Sequence, residues 1–213
     1  MAKHAMRMAL ALLVASGTGP WAFAQSACTQ PAMIVFDGSG SMAARKVLQS
    51  RLESAKEAMA RIVPTVSSVR PLGLVVYNGT MTHCDDVRLT VAPKLNSSSS
   101  ILAALAKLTP SGATPLGQGV TIAANYFRDR HEPATLVVVT DGQESCGADI
   151  CAIASELAAS PTRIQVHVIG YDLPDSQPLR CLAERTDGHY TGVETTDQLT
   201  KALEAALSCL DVV

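Results

Sequence analysis

The stretch MIVFDGSGSM, from Met33 to Met42, joins an apolar run to an aspartate and then alternates glycine with serine. The apolar run is unbroken, which is typical of a parallel strand buried on both faces. Asp37, Ser39 and Ser41 follow at two-residue spacing, where that strand should end. Three oxygen-bearing side chains at this spacing either form a polar turn or face a common partner. The two intervening glycines allow the tight backbone that the second arrangement needs.

A second strand repeats this pattern. ATLVVVTDG, residues 134–142, is another apolar run that ends in Asp-Gly, with Asp141 directly after the strand. In parallel α/β sheets the carboxyl ends of the strands meet at one edge, and functional groups gather there. We therefore expect Asp37 and Asp141 to lie at the same edge of the molecule, on adjacent strands.

Strands and helices alternate along the chain, which implies a mostly parallel sheet covered on both faces. Residues 87–93 alternate apolar and polar side chains, as in an edge strand paired with its predecessor as a hairpin. The predicted fold is α/β: a three-layer, doubly wound, mostly parallel six-stranded sheet with one antiparallel edge strand. The apolar stripe of the first helix includes Leu48, and Pro64 is expected to end that helix. The expected strands are 32–36, 72–78, 87–93, 134–140, 163–170 and 189–193, and the expected helices are 43–63, 101–108, one from the loop 109–119 to about Phe127, 149–159, 176–186 and 196–209.

The first 24 residues have the three parts of a secretory signal peptide. Lys3 and Arg7 supply the positive start, an apolar run ends at Ala15, and small residues precede the expected cleavage after Ala24. The apolar run is shorter than the roughly 20 residues that cross a bilayer. We expect an exported protein, periplasmic or extracellular, in which residues 25–213 form one domain with a sizeable core.

The composition argues against several classes of partner. The chain is 47% hydrophobic and 17% charged, as in an ordinary folded domain. Its formal net charge is −2, and loss of Lys3 and Arg7 with the signal peptide would make it −4. An acidic chain without a basic cluster argues against a nucleic-acid partner. No second long apolar segment predicts a membrane span, and the oligomeric state is left open.

Five side chains are candidates for a metal site: Asp37, Ser39, Ser41, Thr114 and Asp141. All of them offer oxygen, which suits Mg²⁺, Mn²⁺ or Ca²⁺ and suits zinc poorly. Each also has a simpler explanation. Asp-Gly after a strand is commonly a turn, Gly-Ser alternation is common in flexible loops, and Thr114 before a proline could cap a helix. These three simpler explanations are independent of one another, and all would have to hold together with the residues in this order. The sequence therefore favours the metal site.

The order and separations of these residues resemble the metal-ion-dependent adhesion site of von Willebrand factor type A domains. The matching residues are DGSGS at 37–41, Thr114 in SGATPLG, and Asp141 in VVVTDGQES. The resemblance extends over nearly the whole exported part, from Met33 to Leu210. TDGQESCGADIC and LRCLAERTDGHY also resemble secreted bacterial members of this family.

The resemblance implies a binding function. In such sites the hydroxyls of Ser39 and Ser41 bind the ion directly, while Thr114 and the two aspartates bind it directly or through water. Magnesium is the expected cofactor, with Mn²⁺ or Ca²⁺ as alternatives. The ion would accept an Asp or Glu side chain from a protein ligand. The loops expected to select that ligand are 79–86, 109–113 and 143–150.

Other functions stay open at this stage. The domain could be structural, with a vestigial metal site, or it could partner an ATPase inside the cell as some relatives of this fold do, which the signal peptide disfavours. A metal-dependent hydrolase is the least favoured. No G-x-G-x-x-G or G-x-S-x-G motif is present, and Ser39 stands where aspartate-nucleophile phosphatases need a second aspartate. His167 alternates with valines in a strand, as a packing residue does. With no catalytic motif and no histidine in a catalytic pattern, we expect no enzyme activity.

All six cysteines follow the signal peptide, and an even number in an oxidising compartment favours three disulfides. No C-x-x-C pair suggests metal binding instead. The resemblance implies that one disulfide ties the two chain ends, and its sheet order places the second and fifth strands too far apart for a bond between Cys84 and Cys181. The implied pairs are Cys28–Cys209, Cys84–Cys146 and Cys151–Cys181, with Cys146–Cys151 as the main rival.

Overall fold

The computed structural model describes residues 30–46, 48–78, 84–173 and 176–207. In these ranges strands are interspersed with helices along the chain, and a short 3₁₀-helix, Gly40–Ala43, follows the first strand. The strands are β1 (Ala32–Asp37), β2 (Arg45–Lys46), β3 (Gln49–Ser50), β4 (Leu72–Tyr77), β5 (Val87–Lys94), β6 (Ala134–Thr140), β7 (Ile164–Tyr171) and β8 (Tyr190–Val193). The helices are α1 (Arg51–Val69), α2 (Ser98–Ala106), α3 (Leu116–Arg128), α4 (Ile150–Ala158), α5 (Gln177–Arg185) and α6 (Thr196–Leu207).

Six strands form one sheet in the order β5-β4-β1-β6-β7-β8. All neighbours pair in parallel except β5, which runs antiparallel to β4 at one edge. Strands β1, β4 and β6 are buried along their whole length, as expected at the centre of a parallel sheet. The predicted α/β architecture, including its antiparallel edge strand, is confirmed.

Helices cover both faces of this sheet and create two hydrophobic cores. Helices α1, α2 and α6 pack on one face, and α3, α4 and α5 pack on the other. Side chains alternate across a strand, so Ile34 and Phe36 enter the first core while Met33 and Val35 enter the second. In the described ranges, no helix combines the length and apolar character that crossing a membrane requires.

The first helix differs from the prediction at both ends. Residues 45–46 and 49–50 form the small antiparallel pair β2–β3, so Leu48 lies before the helix and is 85% exposed. The helix begins after a capping box in which Ser50 and Glu53 bond each other's backbone N–H groups. It continues through Pro64 to Val69. A proline removes one helical hydrogen bond, but burial of Val63 and Val66 against the sheet holds this segment helical.

Two disulfides fasten the loops at the carboxyl ends of the strands. Cys84, after β4, is bonded to Cys146, after β6, with a Cα–Cα distance of 5.8 Å. Cys151 of α4 is bonded to Cys181 of α5 at 5.5 Å. These are the two preferred pairs, and the rival bond between Cys146 and Cys151 is not formed. The implied Cys28–Cys209 pair and the signal peptide lie outside the described residues.

Candidate metal site

Asp37 anchors the site at the end of β1, where it is completely buried. Its Oδ1 accepts a hydrogen bond from the backbone N–H of Ser39 at 2.7 Å, and its Oδ2 accepts one from Thr140 Oγ1 at 2.6 Å. Burial raises the pKa of Asp37 to about 6, although the bonds from Ser39 and Thr140 act in the opposite direction. These contacts come from neutral groups, so the carboxyl lies where a cation would relieve the cost of its charge.

The two motif serines connect the loop at residues 37–41, here called the aspartate loop, to the end of β6. Ser39 Oγ and Ser41 Oγ lie 3.0 Å apart, and Ser41 Oγ donates to Asp141 Oδ1 at 2.6 Å. Asp141 directly follows β6, which pairs with β1. The structure therefore places Asp37 and Asp141 at the same edge of adjacent strands, as the apolar runs before them predicted.

Thr114 faces the same point from the loop before α3. A Cβ atom built on Gly142 would stand 3.5 Å from both Ser41 Oγ and Thr114 Oγ1, so the two hydroxyls line one small space beside this glycine. Thr114 is held there by paired bonds with Ser145: its backbone N–H donates to Ser145 Oγ at 2.8 Å, and the Ser145 N–H donates to its carbonyl at 3.1 Å.

Backbone bonds join the aspartate loop to the loop at residues 109–113. The N–H of Gly40 donates to the carbonyl of Gly112 at 3.0 Å, and the N–H of Ser111 donates to the carbonyl of Gly38 at 3.0 Å. The three separate segments predicted from the sequence are thus fastened together, and the structure brings all five candidate side chains to this edge of the sheet.

The donor set fits a hard divalent cation. It consists of two carboxylates and three hydroxyls, the oxygen ligands that magnesium prefers. Adjacent ligands of an octahedral Mg²⁺ with bonds of about 2.1 Å lie about 3 Å apart, which is the separation of Ser39 Oγ and Ser41 Oγ. No group of three or more His, Cys, Asp or Glu side chains that could hold a metal occurs in the part of the chain that the structure describes. A cation site built from the five candidate residues would use the serine and threonine hydroxyls beside the two carboxylates.

Two charged residues at this edge were missed from the sequence. Arg51, the first residue of α1, donates from Nη1 to Asp141 Oδ2 at 2.8 Å and from Nη2 to Asp172 Oδ2 at 2.7 Å. Asp172 follows β7 as Asp37 ends β1 and Asp141 follows β6, so an aspartate after a third predicted strand was available as a signal. No local pattern marks Arg51, because it reaches the site from a different layer.

Glu144 is a third missed residue, and it fixes the loop that carries Asp141. Its Oε2 accepts from the backbone N–H of Gly117 in the first turn of α3 at 2.7 Å, and its Oε1 accepts from the N–H of Cys146. A carboxylate is favourable at a helix N-terminus. Together with the Cys84–Cys146 disulfide, these bonds hold the predicted rim at residues 143–150. Most of the other predicted rim loop, residues 79–83, lies outside the described residues.

Comparison with known proteins identifies the family of this fold. Residues 32–143, just over half of the chain, match the family model of the von Willebrand factor type A domain, here called VWA. The chain belongs to the von Willebrand factor type A domain family. The resemblance drawn from the DGSGS motif is thereby confirmed at the level of the family.

Individual relatives of this VWA protein are distant. YwmD of Bacillus subtilis (strain 168) is 24% identical over 207 residues, which cover 92% of each protein. Among solved structures, the SpRpn10 VWA domain is similar with a TM-score of 0.68 at 12% identity, covering 87% of this chain and all of that one. The vWF domain of the type V pili tip protein Mfa5 from Porphyromonas gingivalis has a TM-score of 0.61 at 14% identity, covering 87% of this chain and 99% of its own. Identities this low show the fold alone.

Proposed function

We propose that this VWA protein is an exported binding module that uses a divalent cation, in the first instance Mg²⁺, to hold an Asp or Glu side chain of a protein ligand. The observation that carries the proposal is the convergence of hydroxyl and carboxylate oxygens from three segments beside Gly142. Mn²⁺ and Ca²⁺ share the same preference for oxygen and are the alternative ions.

Each residue would have a distinct role in such a site. Ser39 and Ser41 would offer neutral hydroxyl ligands, and Thr114 would offer a third from the loop before α3. Asp37, buried and bonded to Thr140, would supply negative charge from beneath, and Asp141 would orient Ser41 through their 2.6 Å bond. A bound cation supplies a positive point with exchangeable water positions, which is where a carboxylate ligand would enter.

The surface beside the site favours an acidic ligand. A cleft of about 560 Å³ lies next to the loop at residues 109–113, and Lys107 is among its lining residues, as is Arg88, which is ion-paired with Asp86 at 2.6 Å. The cleft is continuous with the aspartate loop, because lining residues Asn78 and Leu108 lie against Gly38. Positive charge beside a cation site would steer an acidic segment toward it.

The remaining features support a proposal of export and binding rather than intracellular catalysis. The two disulfides indicate an oxidising environment outside the cytoplasm, and the signal-peptide pattern at residues 1–24 supplies a route there. Mfa5 is a pilus tip protein with this fold, so exported VWA domains occur at the tips of surface structures. We propose a similar exported binding role here, without enzyme activity and without a nucleic-acid partner.

The first test is direct titration of the secreted, disulfide-bonded protein with Mg²⁺, Mn²⁺ and Ca²⁺. A cation at one hundred times its Kd should raise the free energy of unfolding by about 2.7 kcal/mol. Ser41→Ala should lose this stabilisation, and the cation-free protein should lose no more than the roughly 1.5–3 kcal/mol expected for a hydrogen bond to a carboxylate such as Asp141. Ser68→Ala is the matched control, because Ser68 is an exposed serine of α1 whose hydroxyl bonds only its own helix in the contacts observed.

Ligand binding is tested next by capture from an extract of exported proteins with Mg²⁺ or with EDTA. Captured proteins should be released by EDTA, and peptides derived from them should lose binding when a single Asp or Glu is changed to Asn or Gln. A wild-type protein that binds no divalent cation would establish the vestigial-site alternative. Cation-dependent hydrolysis of a bound ligand would instead favour the hydrolase.

A further inference from the structure

We propose that Arg51 sets the charge of the cation site, so that it weakens cation binding but strengthens the binding of an acidic ligand to the occupied site. This inference rests on the proposed function of that site, which it refines by naming a residue that determines ligand charge. Arg51 would act through Asp141 and through its own positive charge, and it is assigned no role as a metal ligand.

The first support is the way in which Arg51 is held. The N-terminus of α1 is defined by the capping box at Ser50, and the N–H of Arg51 donates to the carbonyl of Ala44 at 2.9 Å. Its side chain is 21% exposed, whereas the side chain of Asp141 is fully buried. A guanidinium placed against a desolvated carboxylate exerts a stronger field than a surface pair does, because little water screens it.

The second support is that both carboxylate oxygens of Asp141 are engaged. Oδ1 accepts from Ser41 and Oδ2 accepts from Arg51. Arg51 therefore neutralises the oxygen that does not face the serine, and it fixes the direction in which the other oxygen points. A cation arriving at the hydroxyls meets an aspartate whose charge is already partly compensated.

Asp172 completes the arrangement from the other side of the guanidinium. It lies just after β7 with a φ of 51°, in the left-handed region that glycine adopts most easily, and its N–H donates to the carbonyl of Val193 at 2.7 Å. Glycine would fit this backbone conformation more easily, but only aspartate supplies a carboxylate that bonds the guanidinium of Arg51. Since the Asp172 side chain is 29% exposed, it compensates only part of the charge of Arg51.

The charge balance gives the direction of the effect. The charges of Asp37 and Asp141 together cancel those of one divalent cation, so the occupied site without Arg51 would attract an acidic ligand weakly. Arg51 adds a positive charge that is only partly offset by Asp172. The same positive charge repels the cation and attracts a carboxylate, so removing it should change the two affinities in opposite directions.

The test measures binding to the full exported protein by water-proton relaxation. Mn²⁺ is titrated alone first, and acetate is then added to the Mn²⁺-loaded protein as a carboxylate probe. Arg51→Gln should bind Mn²⁺ about tenfold more tightly, and its loaded form should bind acetate about tenfold more weakly. Arg51→Lys keeps the charge and should restore both affinities to within about threefold of wild type. Arg61→Gln is the matched control, because Arg61 is also an α1 arginine that bridges two carboxylates, Glu57 of α1 and Asp197 of α6, but at an exposed position.

Asp172→Asn provides a second variant whose expected effects have the opposite sign. With less compensation of Arg51, Mn²⁺ binding should weaken and acetate binding should strengthen, each by about threefold. If Arg51→Gln weakens Mn²⁺ binding, Arg51 only holds Asp141 in place and the inference is overturned. Unchanged affinities in both variants would overturn it as well. Failure of the wild-type protein to bind Mn²⁺ at all would instead refute the proposed function, and with it the premise of this inference.

Discussion

Replacing Gly142 with alanine should weaken cation binding while leaving the fold intact. The added Cβ would stand 3.5 Å from Ser41 Oγ and 3.5 Å from Thr114 Oγ1, which is ordinary van der Waals contact. Gly142 does not have a positive φ, so alanine fits its backbone. The stability of the cation-free protein should therefore stay the same or rise by up to about 1 kcal/mol, because alanine restricts the unfolded chain.

The same methyl group would occupy the space that the two hydroxyls share. A cation could then contact the hydroxyl of Ser41 or of Thr114 only if the other hydroxyl moved away. The affinity for Mg²⁺ should therefore fall by more than about tenfold, or about 1.4 kcal/mol. The assay is urea unfolding with and without saturating Mg²⁺, which reports both the fold and the site in one experiment.

The control for this variant is Gly192→Ala on β8. Its added Cβ would also meet only ordinary contact, 3.9 Å from Tyr190 Cε1, and its response to Mg²⁺ should equal that of wild type. If Gly142→Ala keeps the full stabilisation by Mg²⁺, the cation does not lie between Ser41 and Thr114. A large loss of stability without Mg²⁺ would contradict the steric argument itself.

Three further predictions concern the fold. Phe127→Ala removes a fully buried ring from the core beneath α3 and should cost about 3–5 kcal/mol in chemical unfolding, whereas Leu48→Ala, at an exposed position, should cost less than about 0.5 kcal/mol. Replacing Cys151 and Cys181 together by serine opens a bridge between residues 30 apart and should cost about 3–4 kcal/mol, while equal stability would show that the bond does not form in solution. Burial, with help from the charge of His189, lowers the pKa of His167 to about 4, so the unfolded chain binds this proton first and stability should fall as the pH drops from about 6.5 to 4. His167→Gln should remove about 1–2 kcal/mol of that loss after allowance for its partial solvent contact, and an unchanged pH profile would count against the burial argument.

The position of the site at the carboxyl edge could be predicted because the evidence is local. An unbroken apolar run marks a strand buried on both faces, and the aspartate that ends the run marks where the strand leaves the core. Two such runs, before Asp37 and Asp141, place both carboxylates at one edge of any parallel sheet. The structure agrees, and it pairs the two strands side by side.

The first helix shows where local signals fail. Proline normally ends a helix, and Leu48 continues the apolar spacing, so residues 43–63 appear helical from the sequence. The capping box at Ser50 competes with that pattern and sets the real start. Pro64 is accommodated because its neighbours Val63 and Val66 are buried against the sheet. The free energy of that burial depends on the tertiary structure and cannot be read from a local stretch of sequence.

The amino-acid sequence by itself determined the order of strands and helices, the oxygen character of the donor set and the edge at which those donors lie. These properties depend on side-chain chemistry and on periodicities within a few residues. Only the tertiary structure decided the charge around the donors, because Arg51 meets Asp141 and Asp172 across separations of 90 and 121 residues. It also decided how Thr140 supports Asp37 and how Glu144 fixes the Asp141 loop. Such contacts depend on how layers pack against one another, which residue spacing along the chain does not encode.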